Sequence, residues 1–357
     1  MAIYILLYIF IIIIGVIFYH KKPYNKKANK RAVIFVFTAM YFVSSFRGLG
    51  VGWDTYNYAY AFTYGLRGIW VRNWEPLFVL LMDIVRHISR SPSVFFCVCN
   101  LIIYGGFGFF LLKNTNDSSS VFWSLLFFLS FGFFFSSMNI IRQTIAMSIG
   151  INAYTILNIK TNKKNVFLSI VLVVIATLFH KTGFICAFLI IPFLIHINRK
   201  TILIVFSSSV LVYFVFPFFM RFITSLFPVY SRYLNTDAGE VRRYLLFAAV
   251  EIVIAFLYIL LFDPRNENNL EKYRMLFVLG ISFVFIVAQR RTELAQRFGY
   301  YFEIFLFLAI PQFCNSFSKD HFRTLIKSTL LLLCTAYFAY ALNLSGKGCI
   351  PYSFIWQ

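Results

Sequence analysis

Long apolar runs recur from one end of this chain to the other, each closed by a short polar cluster. That pattern constrains the fold more than any motif does, because backbone N–H and C=O groups inside hydrocarbon must be satisfied within the spanning structure itself. A helix needs about 20 apolar residues, or about 17 at the short end, to cross a bilayer. Runs near that length fall at 2–19, 32–46, 94–112, 120–136, 139–158, 165–179, 183–197, 201–219, 244–262, 275–288, 298–317 and 323–344. Hydrophobic residues make up 60% of the 357 and charged residues only 13%, so the surface as well as the core must be apolar. The sequence predicts an all-α, polytopic integral membrane protein with about 12 transmembrane helices. These form a single transmembrane domain over 1–357, with no appended globular part. The first run has no basic n-region and no small-residue cleavage site before Lys21, which marks it as a retained span rather than a signal peptide.

Loop charge sets the expected orientation. The loop holding Lys21, Lys22, Lys26, Lys27, Lys30 and Arg31 is the densest in positive charge, which places it in the cytoplasm, and the Lys160–Lys164 loop should lie there too. The two agree only if an even number of crossings separates them. Segment 75–90 decides that parity: it is helical in pattern but carries Glu75, Asp83 and Arg86, and it reads as a re-entrant or interfacial helix at the outer face. On this topology lysine dominates the inside. Arginine dominates the outside, with Lys181 and Lys347 the exceptions. The positive-inside rule does not call for that arginine excess. A planar guanidinium suits bidentate phosphate binding, so an anion-binding outer cavity is expected. A net charge of +20 would suggest nucleic acid in a soluble protein. Here the charges sit in short loops between spans, so membrane lipid or a phosphate-bearing substrate is the expected partner, and nucleic acid is not.

Three outer-face stretches stand out within the expected loops near 47–74, 221–243 and 289–297. The first runs from Arg47 through Gly48, Gly50, Gly52, Trp53 and Asp54 to Tyr58; its glycines let backbone approach a ligand and present N–H groups. The second is Asn139-Ile140-Ile141-Arg142-Gln143, where a charge one turn into an apolar helix calls for a wet cavity or a carboxylate. The third is His180-Lys181-Thr182-Gly183, a tight turn whose imidazole can exchange a proton near neutral pH. Two further loops are rich in arginine: one with Arg232, Arg242 and Arg243, the other with Arg290, Arg291, Glu293 and Arg297. Glu251 and Glu303 fall inside spans, where they would pair with arginine or line the cavity. No GxSxG, HExxH, Walker A or dinucleotide fingerprint occurs, which disfavours hydrolases, ATP-driven pumps and nicotinamide enzymes. The six cysteines lack a metal-ligand spacing and read as packed free thiols, and no metal or cofactor is expected.

Arg47 with Gly52-Trp53-Asp54-Thr55 and Tyr58, then Glu75-Pro76-Leu77-Phe78, Asn139–Gln143, His180–Gly183 and Ile350-Pro351-Tyr352, resemble the EpsG-type group of Wzy polysaccharide polymerases. The resemblance runs from about residue 30 to the C-terminus in scattered short motifs. It implies a metal-independent glycosyltransferase of the bacterial inner membrane, active on the outer, periplasmic face. Its donor and acceptor would both be undecaprenyl-diphosphate-linked oligosaccharides, and its product O-antigen, capsule or exopolysaccharide. A chain-length regulator and a flippase would be its partners. Arg142, Arg290 and Arg291 are then the first choices for the leaving diphosphate. Arg47, Gln143, Lys181, Arg232, Arg242 and Arg297 complete the substrate-binding set, and His180, Asp54 and Glu293 are candidate bases. A flippase or transporter of lipid-linked oligosaccharide, or an O-antigen ligase, is the alternative. A transporter would need a cavity reachable from both faces, and no two-fold internal repeat is visible.

Overall fold

The computed structural model describes residues 1–19, 26–65, 74–115, 118–226, 241–261, 267–289, 293–315, 320–344 and 347–357. These are helical almost throughout. In chain order the helices are α1 (Ala2–Tyr19), α2 (Lys26–Ser45), α3 (Thr55–Tyr64), α4 (Pro76–Ile88), α5 (Pro92–Asn114) and α6 (Ser118–Ser130). Next come α7 (Phe133–Asn139), α8 (Ile141–Gly150), α9 (Asn152–Ile159) and α10 (Lys163–Phe179), then a 3₁₀ helix over Lys181–Leu189. The remainder are α11 (Ile191–Leu194), α12 (Arg199–Leu226), α13 (Val241–Leu261), α14 (Glu267–Ala288), α15 (Glu293–Glu303), α16 (Leu306–Asn315) and α17 (Asp320–Asn343).

The chain divides into two compact units, one formed by Met1–Phe184 with Pro311–Gln357 and the other by Ile185–Ile310. Neither division falls at a polar linker: one lies inside the 3₁₀ helix and the other inside α16. In the first unit α5 packs on α2, α8 and α9, α1 packs on α2 and α6, and α10 lies on α8 and α9. Polar glue ties these helices together, as small and amide side chains do in membrane bundles. Asn152 Nδ2 donates to Gly106 O on α5 at 3.0 Å, and Asn114 Nδ2 to Thr155 Oγ1 at 2.9 Å. In the second unit α14 packs on α12, α13 and α15.

Among the described residues, three helices are long and apolar enough to cross a membrane: Pro92–Asn114, Arg199–Phe222 and Arg323–Asn343. A bent pair, Ser119–Ser130 with Phe133–Asn139, makes a fourth if it counts as one span. The long helix α12 leaves Leu203, Ile204, Leu211, Phe214 and Phe218 exposed, a surface matched to lipid hydrocarbon rather than water. Several of the runs expected from hydropathy are instead interrupted. The run 183–197 is not one α-helix but the 3₁₀ helix followed by the four residues of α11. The run 298–317 is divided between α15 and α16. At 13 residues and about 1.5 Å per residue, α4 is about 20 Å long, well short of the roughly 30 Å of hydrocarbon.

Two breaks shape the chain leading into α8. Gly132 takes φ +79°, where a side chain would be strained, and the chain bends by 52° between α6 and α7. About two turns later α7 stops at Asn139, and Ile140 separates it from α8. The residue before each helix accepts the first helical N–H, Gly132 O from Ser136 at 2.9 Å and Ile140 O from Thr144 at 2.8 Å, and the Ser136 and Thr144 hydroxyls each add a second bond to the same oxygen at 3.0 Å.

Candidate active site

The break at Ile140 puts Arg142 in the first turn of α8. No side chain caps that helix, so the positive end of its dipole lies at Arg142. Arg142 Nη1 donates to Glu75 Oε2 at 2.6 Å, and its guanidinium lies 4.9 Å from the Trp74 ring. Of the wet cavity or carboxylate expected to face this arginine, the structure shows a carboxylate, that of Glu75. Tyr58 of α3 packs 5.3 Å from Trp74, and its phenol interacts with Arg142. Burial pushes the Tyr58 phenol above its ordinary value and Arg142 pulls it down; it stays neutral and can donate.

The other oxygen of Glu75 reaches a second motif. Oε1 accepts the backbone N–H of Lys181 at 3.0 Å. Lys181 thus joins the cluster through its backbone, while its side chain is exposed. The turn itself is fixed by a close approach: a side chain at Gly183 would come 2.5 Å from the carbonyl carbon of Ala176 on α10. Only a glycine lets the 3₁₀ helix fold back there.

His180 leaves α10 in extended conformation and is buried. Its Nδ1 lies 2.7 Å from Thr182 Oγ1 and accepts the backbone N–H of Thr182 at 3.3 Å. A neutral ring whose Nδ1 accepts this N–H carries its proton on Nε2. In that tautomer Nε2 is a hydrogen-bond donor. Asp54, half-exposed, precedes α3 and its charge acts on Tyr58, which brings a carboxylate beside this cluster.

Arg47 sits differently. It is fully buried, with Nε donating to Thr55 Oγ1 at 3.1 Å, Nη2 to Met138 O at 3.0 Å and Nη1 to Ser44 O. Its guanidinium covers the Phe96 ring at 4.4 Å. Burial pulls its pKa below the ordinary value, opposed by its neighbours Cys349 and Tyr104. Arg47, named among the expected substrate-binding residues, ties α2, α3 and α7 together. The glycine loop is likewise turned inward. Gly48 N–H donates to Ser353 O and Gly52 N–H to Gly348 O, each at 2.8 Å, so these two N–H groups serve the C-terminal segment and not a ligand. That segment is held in turn by Asn139 Nδ2, which donates to Lys347 O at 3.1 Å, and by an antiparallel bridge between Arg47 and Phe354.

Gln143 is buried on α8 beside Arg142. Arg297 is half-buried on α15 in the second unit, where Glu251 and Glu303 are also buried. Arg232, Arg290 and Arg291, and the side chains of Arg242 and Glu293, lie outside the described residues. Glu75 is the site residue that sequence reasoning passed over. Its signal was present: a carboxylate before a proline, in a segment too charged to span.

A comparison with protein families matches residues 30–354 to the EpsG family. Comparisons with curated proteins and with solved structures found no match.

Proposed function

The chain belongs to the EpsG family, which is linked to exopolysaccharide biosynthesis, and from that premise we propose that it is a polysaccharide polymerase. It is a multi-pass glycosyltransferase of the bacterial inner membrane whose active face is outward. Donor and acceptor are both undecaprenyl-diphosphate-linked oligosaccharides, and the product is O-antigen or a related surface polysaccharide.

The observation that carries this reading is the meeting of Arg142, Tyr58 and the His180 turn around Glu75, in a chain with apolar helices of spanning length. In the reaction a hydroxyl of the acceptor sugar attacks the anomeric carbon of the growing chain. The bond from that carbon to the diphosphate breaks, and undecaprenyl diphosphate leaves with the electron pair. Negative charge develops on the departing oxygens, and a preorganised guanidinium at an uncapped helix start is suited to stabilise it. Asp54 takes the hydroxyl proton. His180 donates through Nε2 to a sugar or phosphate oxygen. Trp53, Tyr56 and Tyr60, exposed at and beyond the head of α3, offer faces on which sugar rings stack.

Arg142→Lys tests the reading, because lysine keeps the charge and loses the fork. The expected glycan profile is single repeat units on lipid A core, at normal protein abundance. Wild-type chain length would refute a bidentate role for Arg142. Loss of even single units would point to transport of the lipid-linked oligosaccharide instead.

A further inference from the structure

We propose that Glu75 is a positioning residue of this site: its one carboxylate fixes both the Arg142 guanidinium and the backbone of the His180–Gly183 turn. The inference rests on the reading of Arg142 as the diphosphate-binding group.

Glu75 stands at the N-cap of α4 yet makes no side-chain cap. Its carboxylate is turned away from its own helix and spent on two other elements, with Oε2 on Arg142 at 2.6 Å and Oε1 on the Lys181 N–H at 3.0 Å. Pro76 in the first turn of α4 has its own backbone angle fixed by its ring, which stiffens the approach. Trp74, immediately before Glu75, lies against the same guanidinium. Two consecutive residues thus hold Arg142, one from its face and one from its edge.

The pair is a costly way to gain stability. Glu75 is 5% exposed, and taking a carboxylate and a guanidinium out of water largely cancels their attraction. What such a bridge does supply is geometry. The guanidinium must meet the diphosphate in one orientation, and a displacement of about 1 Å at a reacting centre costs about 10²-fold in rate. The same carboxylate sets the Lys181 backbone, and through it the adjacent His180, so the anion-binding cation and the hydrogen-bonding imidazole keep a constant spacing. Glu75 does not contact the reacting atoms; it acts through Arg142 and the turn.

A double-mutant cycle on purified protein tests this, with lipid-linked repeat units as substrate and kcat, KM for the donor and melting temperature as readouts. Glu75→Gln keeps shape and loses charge. It should lower kcat by roughly 10²-fold with the melting temperature little changed. Glu75→Asp keeps the charge but is one methylene short of spanning both partners, so it too should lose rate. Arg142→Gln should be as slow as the double variant Glu75→Gln/Arg142→Gln, because the glutamine oxygen still accepts the Lys181 N–H and the arm that acts through Arg142 has nothing left to act on. Should Glu75→Gln fail to accumulate, the neutral double variant against Arg142→Gln alone still decides. Losses that multiply would give Glu75 an independent role, such as proton transfer, and would overturn the proposal while leaving Arg142 in place. A wild-type rate for Arg142→Gln would instead overturn the reading of the site, and the positioning role with it.

Discussion

Replacing Arg47 by lysine separates two arginines that look alike in the sequence. Arg47 reaches three acceptors on three elements: Ser44 O on α2, Thr55 Oγ1 at the start of α3 and Met138 O on α7. A lysine ammonium is a point donor on a single stem and cannot span all three. Losing two hydrogen bonds from a charged donor, at about 1.5–3 kcal/mol each, removes about 3–6 kcal/mol. The stacking on Phe96 weakens as well. Against a net stability of about 5–15 kcal/mol for a typical domain, that loss is large. Arg47→Lys should therefore accumulate poorly in membranes and melt well below wild type in detergent, with activity falling in proportion to folded protein. Arg142→Lys should do the reverse, folding normally and losing polymerisation. An Arg47→Lys protein that accumulated and melted like wild type, yet made only single repeat units, would refute the structural assignment and return Arg47 to the substrate.

The same geometry gives two further expected outcomes. His180→Gln keeps a donor near the position of Nε2 and should retain longer chains than His180→Ala at equal abundance; equal loss of chain length in both, on a glycan ladder, would restore the imidazole to proton transfer. Tyr56 is exposed on α3 and Lys163 is exposed at the start of α10, so cysteines at these positions on a cysteine-free background report topology. An impermeant maleimide added outside should label Tyr56→Cys and not Lys163→Cys; the opposite pattern would invert the orientation expected from loop charge. The neighbouring Thr55 is unsuited to such a probe, because it is buried and bonded to Arg47.

Hydropathy alone makes the all-helical, lipid-facing character plain, since runs such as Pro92–Asn114 admit no other reading. It cannot register breaks. Lys181–Leu189 is as apolar as an α-helix, and its 3₁₀ form depends on Gly183 meeting Ala176, a contact between helices rather than a property of composition. The motifs around Asp54, Arg142 and His180 are legible as short polar interruptions in apolar sequence. What each does is not. Arg47 and Arg142 both follow apolar runs, yet one is wrapped by carbonyls and the other faces a carboxylate 67 positions away. In the sequence Glu75 opens one of the short family-like motifs and argues against a crossing, but nothing local announces partners on α8 and at the end of α10.

The C-terminal segment that seats the glycine loop also sets an order of events during synthesis. Tyr4 hands its phenolic hydrogen to Cys349 O at 2.8 Å, a contact between residues 345 positions apart, and Gly48 and Gly52 wait for the carbonyls of Ser353 and Gly348. Helices such as α5 can enter the bilayer as they leave the ribosome, since their backbone bonds close within the segment. The loop that carries Asp54 cannot settle until residue 353 has been made and returned to it. That loop therefore settles after the helices that precede it, and a chain truncated before Gly348 would insert them yet leave the Gly48 and Gly52 N–H groups without these two carbonyls.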